Sequence, residues 1–222
     1  MKKSSFIFGV SLGIVSVSNL FCMENNENNK LMFNTGEDLQ KPKQSLGEIS
    51  AVYRVEKGQN NLQILGEKFL NNNESNIKAF INNKYIELTK EVTVSKKDFI
   101  SFEKDENISN YLIRQGYIKI GDDKNHDYKE KLNGNYYFLV VEFVVIKNIT
   151  NLSYMFSECE SLISVKGLDN LVTSNVTDIS RLFYGCKSLI SLPDISKWNT
   201  TNTDDTYEIS NDCISSVNNT EL

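Results

Sequence analysis

NITNLSYMFSECESLISVKGLDNLVTS (148–174) is followed at once by NVTDISRLFYGCKSLISLPDISKWNTT (175–201), and the two segments align at an offset of 27. Ten of the 27 positions are identical: Asn148/175, Thr150/177, Ser153/180, Phe156/183, Cys159/186, Ser161/188, Leu162/189, Ile163/190, Ser164/191 and Thr173/200. Most other apolar positions exchange conservatively, as Leu152 does with Ile179 and Met155 with Leu182. Self-similarity at a fixed period is the signature of a repeat array.

Within one unit, Leu152, Met155 and Phe156 recur at helical spacing, as do Ile179, Leu182 and Phe183. That spacing predicts one apolar face of a short helix. Thr150 and Thr177 stand just ahead of it, where a hydroxyl caps free amides. After the cysteine, Ser-Leu-Ile-Ser-Val or Ser-Leu-Ile-Ser-Leu predicts a short strand with alternate residues facing a core. One such unit cannot cover its own apolar side, and stacking units does. The expected repeat core is Leu152, Met155, Phe156, Cys159, Leu162, Ile179, Leu182, Phe183, Cys186 and Leu189.

A further step of 27 places Asn202 on Asn175, Ile209 on Leu182, Cys213 on Cys186 and Val217 on Ile190. The intervening residues have drifted towards polar ones, with Ser210 matching Phe183. This is a degenerate third unit, 202–217, followed by a tail, 218–222. Cys159, Cys186 and Cys213 share one repeat position, so packed free thiols are the first expectation. A Cys159–Cys186 disulfide is the alternative. Zinc is disfavoured by the lack of nearby histidines.

The runs N-[IV]-T-x-[LI]-S-x-[ML]-F-x-x-C-x-S-L-I-S and LPDISKWNT resemble the BspA-like leucine-rich-repeat surface proteins, the match covering about 148–201. Residues 53–92 resemble the short β module that precedes such repeats in some members. The resemblance implies a secreted or surface-displayed binding solenoid engaged in adhesion. This chain departs from that pattern in carrying only two good repeats and a remnant.

Upstream, AVYRV, NLQIL, NIKAFI and KYIEL are short apolar runs separated by Lys57–Asn60, Asn71–Ser75 and Asn82-Asn83. Such runs with Asn/Gly turns are strand and hairpin signals. A helix is expected within Asp98–Arg114, and NYYFLVVEFVVI reads as a buried strand. The expected fold class is therefore α+β with a repeat: a small β-rich N-terminal module, 49–135, then a short leucine-rich-repeat-like helix–strand solenoid, 136–217.

The chain begins with Lys2 and Lys3 and an apolar stretch from Phe6 to about Val17, the form of a secretory signal peptide over 1–22. Cys22 sits where a bacterial lipid-attachment cysteine would, a rival reading to a cleaved soluble signal. A polar leader, 23–48, follows. No later segment is long enough to span a bilayer, so no transmembrane span is expected after signal cleavage. Secretion or display at the cell surface is the expected localisation.

Composition excludes more than it includes. The 222 residues carry a formal charge of −5 with no basic block, which argues against nucleic-acid binding. His126 is the lone histidine. Asp123, Asn125 and Asp127 begin like a calcium loop, but Tyr128 replaces the needed glycine and Gly134 the bidentate glutamate. No nucleophile elbow, zinc-protease helix or phosphate loop occurs. No catalytic residue, metal or cofactor is expected. The first functional reading is a non-catalytic binding protein for a protein or glycan surface. Alternation along the strand nominates Ser164, Lys166, Ser191 and Lys197 as contacts, with Ser161, Ser188 and Lys187 beside them. Trp198 is either an exposed anchor or packing at the strand's exit. The rival readings are a secreted effector or enzyme with activity in 49–135, and a degenerate truncated paralogue.

Overall fold

A computed structural model describes residues 40–101, 107–118, 132, 136–199, 201–203 and 206–213. The expected signal peptide with Cys22, the expected leader as far as residue 39, His126 with its acidic neighbours, and the tail lie outside the described residues. All described residues belong to the compact unit Asp38–Leu222.

The centre is an antiparallel sheet of five strands. In chain order the strands are β1 (Gly47–Glu56), β2 (Asn61–Leu62), β3 (Ile77–Ile81), β4 (Lys84–Ile86), β5 (Val92–Thr93), β6 (Tyr136–Val145) and β7 (Leu162–Lys166). The large sheet has the order β4-β3-β6-β1-β7, and β2 pairs with β5 in a second sheet of two strands. Among the described residues two helices of seven residues each accompany them, α1 (Glu67–Asn73) and α2 (Ile108–Arg114). The β-branched and aromatic run of β6 forms the ten-residue strand its composition demands, and it pairs along its full length with β1. β1 pairs on its other side with β7, so strands from either side of residue 135 share one sheet.

Side chains alternate across this sheet. Ile49, Ala51, Tyr53 and Val55 of β1 join Leu139, Val141, Phe143 and Val145 of β6 in the larger core, with the repeat residues packed against them. Val52, Phe138 and Ile163 point the other way and meet Leu112, Tyr117 and Ile118 around α2. Between these two clusters the central strands are buried on both faces, which is why they read as near-continuous apolar runs there.

The helix–strand solenoid does not form: the fold is a mostly antiparallel β-sheet domain with two short helices. Where the spacing predicts repeat helices, the chain makes tight turns. Tyr154 and Glu158 have φ of 60° and 62°, and Arg181 and Gly185 have 54° and 71°. A helix needs consecutive right-handed residues, and two left-handed ones four apart prevent it. Asn151 and Asp178 reinforce the turns, accepting from the amides of Ser153 and Ser180 at 2.8 Å each. The threonines do not cap: Thr177 instead donates its amide to Thr150 O at 2.8 Å. In the second repeat the expected strand also fails, since Pro193 stands at the position of Lys166 and brings no amide.

The turns nevertheless lie one on another. Amides of Leu152, Tyr154, Phe156 and Glu158 donate to the carbonyls of Asp178, Ser180, Leu182 and Tyr184 at 2.7–3.0 Å. Arg181, Phe183 and Gly185 donate likewise to Tyr207, Ile209 and Asn211. Glu208 and Asp212 repeat the positive φ at 53° and 60°, so the described turn of the drifted third repeat, 206–213, keeps the backbone pattern of the first two. Segment 63–73 closes the first repeat: Gly66 N reaches Met155 O at 2.8 Å, and the side chains of Gln63 and Asn73 reach Ser157 O and Asn151 O.

Candidate functional site

The ten expected core residues are all buried, at 1 % exposure or less except Ile179 at 2 %. The rings of Phe156 and Phe183 stack with centroids 5.6 Å apart and planes 1° apart. The cysteines are free, with Cys159 and Cys186 buried and Cys213 half-buried. The thiols of Cys186 and Cys213 donate to Phe156 O and Phe183 O at 3.0 and 2.8 Å. Burial pushes the Cys159 and Cys186 thiols well above the ordinary thiol range. This column is packing, and it presents nothing to a ligand.

The contact residues nominated by alternation do not form one exposed face. β7 is a sheet strand, not the open concave lining of a solenoid, and the segment around α2 covers one side of it. Ser164 is 2 % exposed and donates its hydroxyl to Tyr117 O at 2.7 Å. Trp198 is 7 % exposed, with its indole N–H on Leu168 O at 2.7 Å, which makes it packing and not an anchor. Ser188 is buried, and its hydroxyl has no partner among the described residues. Ser161 and Ser191 are half-buried. Lys187 pairs with Glu160, and Lys197 with Asp169 at 3.6 Å. Lys166 lies over the Tyr117 ring at 4.2 Å.

A different face of the repeats gathers the side chains suited to contact. Tyr154, Arg181 and Glu208 share one repeat position, so stacking sets them side by side. Arg181 Nη1 donates to the Tyr154 hydroxyl at 3.0 Å and Nε to Glu208 Oε2 at 2.8 Å. The guanidinium carbon lies 5.7, 5.7 and 5.6 Å from the ring centroids of Tyr154, Tyr184 and Tyr207. Lys68, from α1, sits over the Tyr154 ring at 4.3 Å. Cations and aromatic rings therefore alternate from α1 to the third repeat, each cation within reach of a ring face. Tyr207 is 61 % exposed.

The electrostatics hold this face in one ionisation state. Hydrogen bonds from Tyr207 and Arg181 keep the Glu208 carboxyl below its usual range. The Glu208 bond raises the Arg181 guanidinium further, and an Asp212 bond raises the Tyr184 hydroxyl. The arrangement is charged and aromatic. Among the described residues, no group of three or more His, Cys, Asp or Glu side chains is placed to hold a metal ion. No helix of the described residues is long and apolar enough to cross a membrane.

Tyr154, Arg181 and Glu208 stand at a repeat position that differs in every unit, so identity between the repeats does not mark them. The signal is in the column itself: an aromatic, a cation and an acid at 27-residue intervals are mutually complementary once stacked.

A family model described as a Mycoplasma protein of unknown function, DUF285, matches residues 136–220. The match starts at the first residue of β6 and takes in β7 and the stacked turns, while β1, β3 and α1 lie outside it. No curated protein and no solved structure matches the chain.

Proposed function

We propose that this protein is an exported, non-catalytic binding protein that docks on a partner protein through the tyrosine–arginine face of its stacked repeats. The observation that carries this reading is Arg181 held among three tyrosine rings on an exposed face. Tyrosine and arginine are residues in which interface energy concentrates: tyrosine offers large contact area with little conformational entropy to lose, and Arg181 is already held by Tyr154 and Glu208. Glu208 and Asp212 beside Arg181 and Lys68 give the face both signs of charge. That pattern favours a folded protein over a polyanion, since it rewards one register of opposed charges. Lys2, Lys3 and the apolar stretch after them support export, and the resemblance to surface-displayed repeat proteins agrees with it. The face is a handful of side chains, so adhesion would depend on display of many copies.

The test is avidity. Biotinylated protein on streptavidin beads is applied to immobilised extracellular-matrix proteins and to a glycan array. Retention on a protein ligand is expected, with Tyr207→Ala and Arg181→Ala each lowering it at least tenfold while circular dichroism stays unchanged. Full retention by the double variant would overturn the reading. Retention on glycans alone would replace the protein partner with a carbohydrate one.

A further inference from the structure

On the second face of the large sheet, the segment around α2 packs over Val52, Phe138 and Ile163. Beyond it lies an open cleft of about 460 Å³, within the size range of small-ligand sites. Its floor is a cross-strand row. Lys166 of β7 is directly opposite Ser50 of β1, and Ser50 is directly opposite Glu142 of β6. A cation, a hydroxyl and a carboxylate therefore follow one another at strand spacing, with about 10 Å from the first backbone to the last.

Each of these groups has bonding capacity left over. Lys166 Nζ donates to Gln115 O at 3.0 Å and lies 4.2 Å from the Tyr117 ring centroid, and no carboxylate pairs with it among the described residues. One Glu142 oxygen pairs with Lys41 at 2.5 Å, and the other has no partner among the described residues. The Ser50 and Tyr117 hydroxyls lie 2.6 Å apart, so one of them is left with a proton to donate. Partial burial of Lys166 disfavours its charge, a cost that an arriving anion would offset. Glu48 and Lys41 balance the remaining charge, so a ligand of net charge would meet no net opposite charge.

We propose that this cleft binds a small zwitterion, a dipeptide, with its carboxylate on Lys166 and its ammonium on Glu142. The ligand's ammonium takes the place of the Lys41 ammonium or shares the carboxylate with it. Its amide or side chain lies over Ser50 and Tyr117. A neutral sugar would use the same hydroxyls but neither charge.

Calorimetry on the full chain tests this with Ala-Ala, N-acetyl-Ala-Ala, Ala-Ala amide and maltose as probes. Ala-Ala is expected to bind, and each capped form to bind at least tenfold more weakly. Lys166→Gln and Glu142→Gln should each lose binding while keeping the unfolding midpoint. Lys41→Ala should tighten binding, because it frees Glu142 from an internal competitor, and this variant serves if either of the others fails to fold. Equal binding of the capped forms, weaker binding by Lys41→Ala, or no Ala-Ala binding at 10 mM would each overturn the proposal. Binding of maltose alone would reassign the cleft to a carbohydrate.

Discussion

Gly66 and Tyr154 are in backbone contact so close that a Cβ on Gly66 would stand 2.0 Å from the Tyr154 carbonyl oxygen. The same contact brings Gly66 N onto Met155 O, so the chain ahead of α1 seals the first repeat's unpaired carbonyls. Only glycine permits that seal. The φ of Gly66 is −67°, so the requirement is space and not torsion.

Gly66→Ala is therefore expected to destabilise the protein by about 2–3 kcal/mol through forced separation of these segments. Gly58 has φ of +93° and nothing within 4 Å of its Cβ position, so Gly58→Ala should cost only about 1 kcal/mol of backbone strain. Urea denaturation of both variants checks the ranking. A Gly66→Ala midpoint at or above that of Gly58→Ala would contradict the close approach.

Phe183 lies in the middle of the stacked repeats, with Phe156 parallel to it and Cys213 Sγ on its carbonyl. Truncation to alanine leaves a cavity that paired turns cannot collapse, and a loss of about 3–5 kcal/mol is expected. Ile209, half-buried at the third repeat, should cost clearly less on the same truncation. Equal losses would place the two residues in equivalent environments.

Alkaline pH should unfold this protein readily. Burial raises the pKa of Cys159, Cys186 and Tyr53, and that of Tyr117 to about 12. Each group keeps its proton more tightly when folded, so its contribution is complete below the unfolded pKa. That contribution declines as pH rises from about 9, where free thiols ionise, towards 12. Denaturant midpoints at pH 8, 9.5 and 11 are expected to fall in that order. A flat profile would mean that these groups are hydrated in the fold.

Trp198 is the only tryptophan and is buried, so its fluorescence reports one site. Its emission should be blue-shifted in the folded protein and move to the red on unfolding. Trp198→Phe removes the donor to Leu168 O and is expected to cost about 1–3 kcal/mol. Emission already at the solvent-exposed wavelength in native buffer would refute the packed position.

The local content of the chain was legible to the extent that local rules applied. The β-branched runs at 51–55, 77–81 and 136–145 mark strands because their side chains suit a pleated, buried surface. The turn residues Asn82 and Asn83 adopt φ of 50° and 64° between β3 and β4, as asparagine pairs do. The repeat core was legible for a similar reason, since apolar identity at a fixed period survives whatever backbone carries it. The spacing of Leu152, Met155 and Phe156 was misleading, because a chain of tight turns returns its apolar residues at the same interval as a helix. Backbone φ at Tyr154 and Arg181 separates the two, and neither residue type announces a left-handed conformation.

By itself, then, the amino-acid sequence determined the repeat, its buried positions and the strand-forming runs, because these follow from side-chain chemistry at short range. Only the tertiary structure decided that β6 lies between β1 and β3, and that β7 joins the same sheet as β1. It also decided that Ser164 and Trp198 are interior and that Tyr154, Arg181 and Tyr207 share a surface. Those facts depend on pairing between residues 27 to more than 100 positions apart, and the energy of such pairing resides in contacts that no local segment contains.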